Sequence, residues 1–136
     1  MKIALSILIA VVVLGSECYA TYHSITAMGQ LFCNREPKAN VEVNLKEHDT
    51  FDPDDLKNTT HSDSVGTFNV FGWEDEYGKV EFYIRIVHNC EVKDSTRCYR
   101  ETDYEVPQWK MDKIYDMGPI NLNLKGTKRD YETCNK

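Results

Sequence analysis

Apolar and polar side chains alternate with a period of two in several stretches of the chain. In Val41-Glu42-Val43-Asn44-Leu45-Lys46 the two kinds leave on opposite faces, the signature of a half-buried strand. Val80, Phe82, Ile84 and Ile86 alternate with Glu81, Tyr83 and Arg85, and Ile120, Leu122 and Leu124 with Asn121 and Asn123. Weaker, β-rich stretches run over 25–33, 66–71 and 99–106. Turn residues punctuate them at Asn34-Arg35-Glu36-Pro37, Asp52-Pro53-Asp54-Asp55, Ser62-Asp63-Ser64-Val65-Gly66 and Tyr77-Gly78. No long helical period competes. The pattern predicts an all-β, antiparallel β-sandwich or open β-barrel of about seven strands, because each half-apolar sheet must bury its face against another. Antiparallel strands reverse direction, so loops should sort between two ends. The count places 48–60 with 89–97 at one end, and 72–78 with 107–112 at the other.

The N-terminus departs from this pattern. Lys2 is followed by an almost unbroken apolar run from Ile3 to Gly15, shorter than the roughly 20 residues a bilayer span requires, with Ala20 as a cleavage-site residue. Residues 1–20 are expected to be a signal peptide and 21–136 one exported domain, too small for two cores. Lys2 and Glu17 cancel, so the formal charge of -6 belongs to the exported part. Such a surface repels phosphate backbones, and nucleic acid is not an expected partner.

Loss of the leader removes Cys18 and leaves Cys33, Cys90, Cys98 and Cys134, an even set that reads as two disulfides in an exported domain. Three pairings are open. The short polar segment between Cys90 and Cys98 favours a bond closing that loop, which leaves Cys33 with Cys134. Oxidation of these thiols argues against His88, Cys90 and Cys98 as zinc ligands or as a Cys-His nucleophile pair.

Asp49, Asp52, Asp54 and Asp55 crowd one segment, and the loop sorting brings Glu91 and Asp94 toward it. Gathered loop oxygens suit calcium, although the spacing is not that of an EF-hand, and the competing reading is an acidic turn capping its own amides. A calcium ion held there would let an acidic protein meet acidic lipid. Trp73, Tyr77, Trp109 and Met111 gather at the other expected end as a candidate partner surface, since loop aromatics often anchor interfaces. His88 is in phase with the inward positions of its strand and is expected to be a buried, hydrogen-bonded histidine. His61, Ser62 and Asp63 hold the residue types of a hydrolytic triad, but adjacency in sequence is not convergence in space. Asn58-Thr59-Thr60 is an N-glycosylation sequon.

The runs Gly29-Gln30-Leu31-Phe32-Cys33-Asn34, Val41-Glu42-Val43, Asp49 to Leu56 and Asp63 to Phe68, then Ile84 to Cys90, Cys98 and Tyr115-Asp116-Met117-Gly118, together resemble the nematode transthyretin-like family. The resemblance covers most of the exported part and implies an extracellular sandwich related to transthyretin. It does not extend to the Tyr-Arg-Gly-Ser terminus of the related hydroxyisourate hydrolases: this chain ends Asp130-Tyr131-Glu132-Thr133-Cys134-Asn135-Lys136. At family level it implies bridging roles, including recognition of phosphatidylserine on dying cells and hand-over to an engulfment receptor. The expectation is thus a secreted bridging protein rather than an enzyme, needing no cofactor except the candidate calcium. Its partners would be an anionic lipid and a cell-surface receptor. The alternative is a carrier of a small hydrophobic ligand, and an open sheet edge would give a homodimer a route.

Overall fold

A computed structural model describes residues 22–75 and 78–136. The expected signal peptide and Tyr77 lie outside the described residues. Alternation over the whole of β1 (Tyr22–Cys33) makes it the spine of the first sheet: Ile25, Ala27, Leu31 and Cys33 are buried inward, while Thr26, Met28, Gln30 and Phe32 face out. On one side β1 pairs antiparallel with the two-residue β2 (Glu36–Pro37) and with β5 (Thr67–Asp75); on the other it pairs parallel with β8 (Ile114–Asn121).

The second sheet has the order β4 (Asp55–His61), β3 (Glu42–Glu47), β6 (Phe82–His88), β7 (Cys98–Glu105) and β9 (Arg129–Cys134), each neighbour antiparallel. Val43, Leu45, Phe82, Ile84 and Ile86 from this sheet meet Ile25, Ala27, Leu31, Phe68 and Val70 from the first and form one core. The result is an all-β sandwich, not closed into a barrel.

Two strands run against the sequence pattern. Asp55–His61 and Arg129–Cys134 are both strands, yet both are largely exposed and polar. Each lies at an edge of the second sheet, where backbone pairing with one neighbour suffices and an alternating apolar face is not required. The alternation at 120–124 marks the end of β8 rather than a strand of its own: Leu122 is buried and its amide bonds the Phe32 carbonyl, but Leu124 points into solvent.

The added β4 changes which loops share an end. The loop 48–54, the segment 78–81 and the turn 106–113 all gather at one end, tied by the bonds His48 N–H to Glu81 O at 2.9 Å and Val106 N–H to Phe82 O at 3.1 Å. The expected proximity of 72–78 and 107–112 holds, with Asp112 N–H bonded to Ser24 O at 2.7 Å beside the Ser24–Trp73 pair. The expected proximity of 48–60 and 89–97 does not. Residues 89–97 follow β6 at the opposite end, where Asn123 contacts both Asn34 and Glu91.

The disulfides are Cys33–Cys90 and Cys98–Cys134, which corrects both expected pairs. Cys33 ends β1 and Cys90 follows β6, so their bond joins the two sheets at that opposite end. Cys98 and Cys134 sit directly across from each other on β7 and β9, a neighbour that only the unanticipated edge strand supplies. The 91–97 loop needs no covalent closure, being held by Val92 N–H to Asn89 O at 3.1 Å and Cys98 N–H to Asp94 O at 2.8 Å.

Candidate binding surfaces

The acidic loop is built from its own carboxylates. Asp49 Oδ1 accepts the Phe51 amide at 3.1 Å and the Asp52 amide at 3.3 Å. Asp54 Oδ1 accepts His48 Nδ1–H at 3.1 Å and the Asp49 amide at 3.2 Å, and its Oδ2 accepts the Tyr83 hydroxyl at 2.5 Å. Burial works to raise the Asp54 carboxyl, but the bonds from Tyr83, Asp49 and His48 outweigh it and hold it below the ordinary carboxylate value. This folding of the loop onto β6 thrusts Phe51 outward, where it is 95% exposed.

The six expected calcium ligands do not converge. Glu91 and Asp94 lie at the opposite end of the sandwich because β4 reverses the chain before the loops are counted; Glu91 accepts from Asn123 and Asp94 caps Thr96. Asp49 and Asp54 are engaged as described, while Asp52 and Asp55 are exposed. Among the described residues, one group of three carboxylates brings ligand atoms within 4.8 Å of one another: Glu47, Asp55 and Glu74. Of the expected set it contains Asp55 alone, and the Lys57 ammonium already lies 2.6 Å from Glu74.

The expected aromatic set divides three ways. Trp109 sits on a 3-10 turn, Gln108–Lys110, is 68% exposed, and has the Lys110 ammonium 4.8 Å from its ring centre. Met111 packs half-buried against the core and is not a surface anchor. Trp73 projects from the outer face of β5 with its ring 5.6 Å from that of Tyr22. Phe51, absent from the expected set, shares the Trp109 end. The two loops connect through 79–82: His48 bonds Glu81, and Gln108 Nε2–H bonds the Val80 carbonyl at 2.9 Å.

Elsewhere several ionisable groups pair with one another. On the outer face of the second sheet Arg85 makes two bonds to Asp103, at 2.8 and 3.0 Å, and a third contact to Glu101, which also accepts the Tyr131 hydroxyl. Inside, His88 points to the core as expected. Its Nδ1 accepts the Cys90 amide at 3.1 Å, which leaves the proton on Nε2 to donate to Thr102 Oγ1 at 2.8 Å. Burial, with the nearby Arg100 charge, pushes the imidazole down to about 4. Thr102 donates onward to Asp130, which Arg100 grips through Nε and Nη2 at 3.1 and 2.7 Å. Arg100 also donates to the carbonyls of Cys90, Leu122 and Leu124, so it fixes the 122–128 crossover beneath the disulfide. Sequence reasoning did not find this clamp; its single signal was an arginine in phase with the inward positions of a strand.

The sequence of the Transthyretin-like family matches this chain over residues 28–107. Transthyretin-like protein 16 of Caenorhabditis elegans is 41% identical over 109 residues, covering 80% of this chain and 82% of that protein. Transthyretin-like protein 46 of the same organism is 29% identical over 129 residues, covering 90% and 72% respectively. Transthyretin-like protein 1 is 31% identical over 148 residues, covering 98% and 94%. Among solved structures, a 9R-lipoxygenase from Cyanothece is similar at 17% identity and a TM-score of 0.43 over 85% of this chain and 20% of that one, too distant to carry an argument. The family match over residues 28–107 and the identities to these Caenorhabditis elegans relatives agree: the chain belongs to the Transthyretin-like family.

Proposed function

We propose that this protein is an extracellular, non-catalytic bridging module that rests on anionic, phosphatidylserine-bearing membrane through its Phe51–Trp109 end and presents the rest of its surface to a cell-surface receptor. The observation that carries the reading is the exposure of these two large aromatics, 95% and 68%, at the tips of two loops at one end. Aromatic side chains with an adjacent ammonium suit the headgroup boundary, as Trp109 and Lys110 do. Burying the two rings is worth about 2 kcal/mol each, and each lysine near an anionic surface adds about 1 kcal/mol. Lys110 and Lys113 lie beside the Trp109 tip, while Lys79 pairs with Glu81 at 3.2 Å and Asp49, Asp52 and Asp112 place carboxylates at the same end. The paired cysteines support an oxidising, exported setting.

The carrier alternative has less support, because buried Ile25, Leu31, Val43, Leu45, Ile84 and Ile86 fill the space between the sheets. Catalysis has less still, since the buried His88, Arg100 and Asp130 are held in one network with Thr102. Co-sedimentation with phosphatidylserine vesicles tests the proposal: the protein should pellet with them and not with phosphatidylcholine vesicles, and the double variant Phe51→Ser, Trp109→Ser should stay in the supernatant. Binding is expected to survive a chelator, because Asp49 and Asp54 already serve the loop. Binding unchanged in the double variant would refute the aromatic anchor.

A further inference from the structure

The sequon Asn58-Thr59-Thr60 lies on β4 at the seam where the edge of the second sheet meets β5, the edge of the first. The exposed Asn58 side chain crosses this seam: its Nδ2–H donates to the Phe71 carbonyl at 2.7 Å, and its Oδ1 accepts the Thr59 amide at 2.9 Å. Beside it lies a hollow of about 360 Å³ lined by Lys57, Asn58, Phe71, Gly72 and Trp73. Phe71 and Trp73 are 51% and 53% exposed on the same outer face of β5, two residues apart and thus roughly 7 Å from each other along the strand. Gly72 between them turns inward, where an added Cβ would stand 2.6 Å from Leu45 Cδ2, so the floor of the hollow is tightly packed. Two large half-exposed aromatics therefore border the amide nitrogen that N-glycosylation modifies.

We propose that Asn58 carries an N-linked glycan whose first sugars lie in this hollow and cover the rings of Phe71 and Trp73. The inference rests on the exported destination proposed above. In the modification the bond from Asn58 Nδ2 to the sugar C1 forms as the C1–pyrophosphate bond of a lipid-linked oligosaccharide donor breaks; the pyrophosphate leaves with the electron pair, and the amide loses one proton to solvent. Nδ2 carries two hydrogens, so the second remains for the Phe71 carbonyl and the folded seam accommodates the product. The apolar C–H face of a pyranose then packs on the aromatic faces, removing from water a patch that is otherwise half open.

The test is expression of the full chain in a eukaryotic secretory host. Protein recovered from the medium should lose the mass of one glycan on treatment with an N-glycanase, and Thr60→Ala should lack that mass while Thr60→Ser retains it. Secreted protein without a glycan overturns this inference and leaves the exported reading standing; protein confined to the cytosol overturns both. Contact with the rings is tested by a cycle. Thr60→Ala should lower the Tm by about 4 °C more in the native background than in Phe71→Ser, Trp73→Ser, as expected for a contact worth about 1 kcal/mol in a domain of this size. Equal shifts in the two backgrounds would overturn the covering of Phe71 and Trp73.

Discussion

Removing the Arg100 guanidinium should unseat an entire end of the sandwich. Arg100 is 9% exposed and makes two bonds to Asp130 and three to the carbonyls of Cys90, Leu122 and Leu124. The side chain of Asp130 is itself only 10% exposed. Arg100→Ala strands that carboxylate without its cation, and breaking a buried pair from one side costs about 3–5 kcal/mol. Water can enter the truncated site and rehydrate some of the carbonyls, so the middle of that range, about 4 kcal/mol, is expected. The double replacement Arg100→Met, Asp130→Leu removes both charges and fills the space; it leaves the three carbonyls unserved but strands no carboxylate, so it should cost less than Arg100→Ala. Urea unfolding followed by far-ultraviolet circular dichroism, at constant m, supplies both values. A loss below about 1 kcal/mol for Arg100→Ala, or a double variant as unstable as the single one, would refute the clamp.

His88 titrates near 4 in the folded chain, held down by burial and then by Arg100, against an ordinary value of 6.5; the unfolded chain therefore binds the extra proton as pH falls through that interval. Stability should fall between pH 6.5 and 4 by on the order of 3 kcal/mol at most, and His88→Gln should flatten that slope; an unchanged slope would exclude His88 as its source. Cys33 and Cys90 close 57 residues of sequence separation, so Cys33→Ser, Cys90→Ser should lower the unfolding free energy by roughly 4 kcal/mol, and a change below about 1 kcal/mol would contradict its role as the inter-sheet tie. Tyr83→Phe removes the hydroxyl that Asp54 accepts and should cost about 1 kcal/mol while raising the protease sensitivity of the 48–54 loop; equal digestion rates would show that the bond does not hold the loop.

The sandwich was legible wherever a strand buries one face. Val43 and Leu45, or Phe82, Ile84 and Ile86, alternate with polar neighbours because one side of each strand is core. Asp55–His61 and Arg129–Cys134 escaped notice because an edge strand is specified by its neighbour's backbone, which leaves no apolar period to read. That omission propagated. Without β4 the loop count moved Glu91 and Asp94 to the wrong end, and without β9 there was no strand to set Cys134 beside Cys98. The site was less legible than the fold. Trp109 could be named from its loop, but Phe51 is a lone aromatic inside an acidic turn, and its projection follows from the bonds of Asp49 and Asp54, which are geometry rather than pattern.

The end proposed above to meet the membrane can be watched through its own tryptophan. The sequence has two, Trp73 and Trp109, so Trp73→Phe leaves Trp109 as the sole tryptophan, read by excitation at the red edge where tyrosine does not absorb, and Trp109→Phe leaves Trp73. Added phosphatidylserine vesicles should shift the Trp109 emission to shorter wavelength and make it quenchable by brominated acyl chains, with the Trp73 signal unmoved. A Trp109 spectrum indifferent to those vesicles, at concentrations where the protein co-sediments with them, would contradict the proposed contact.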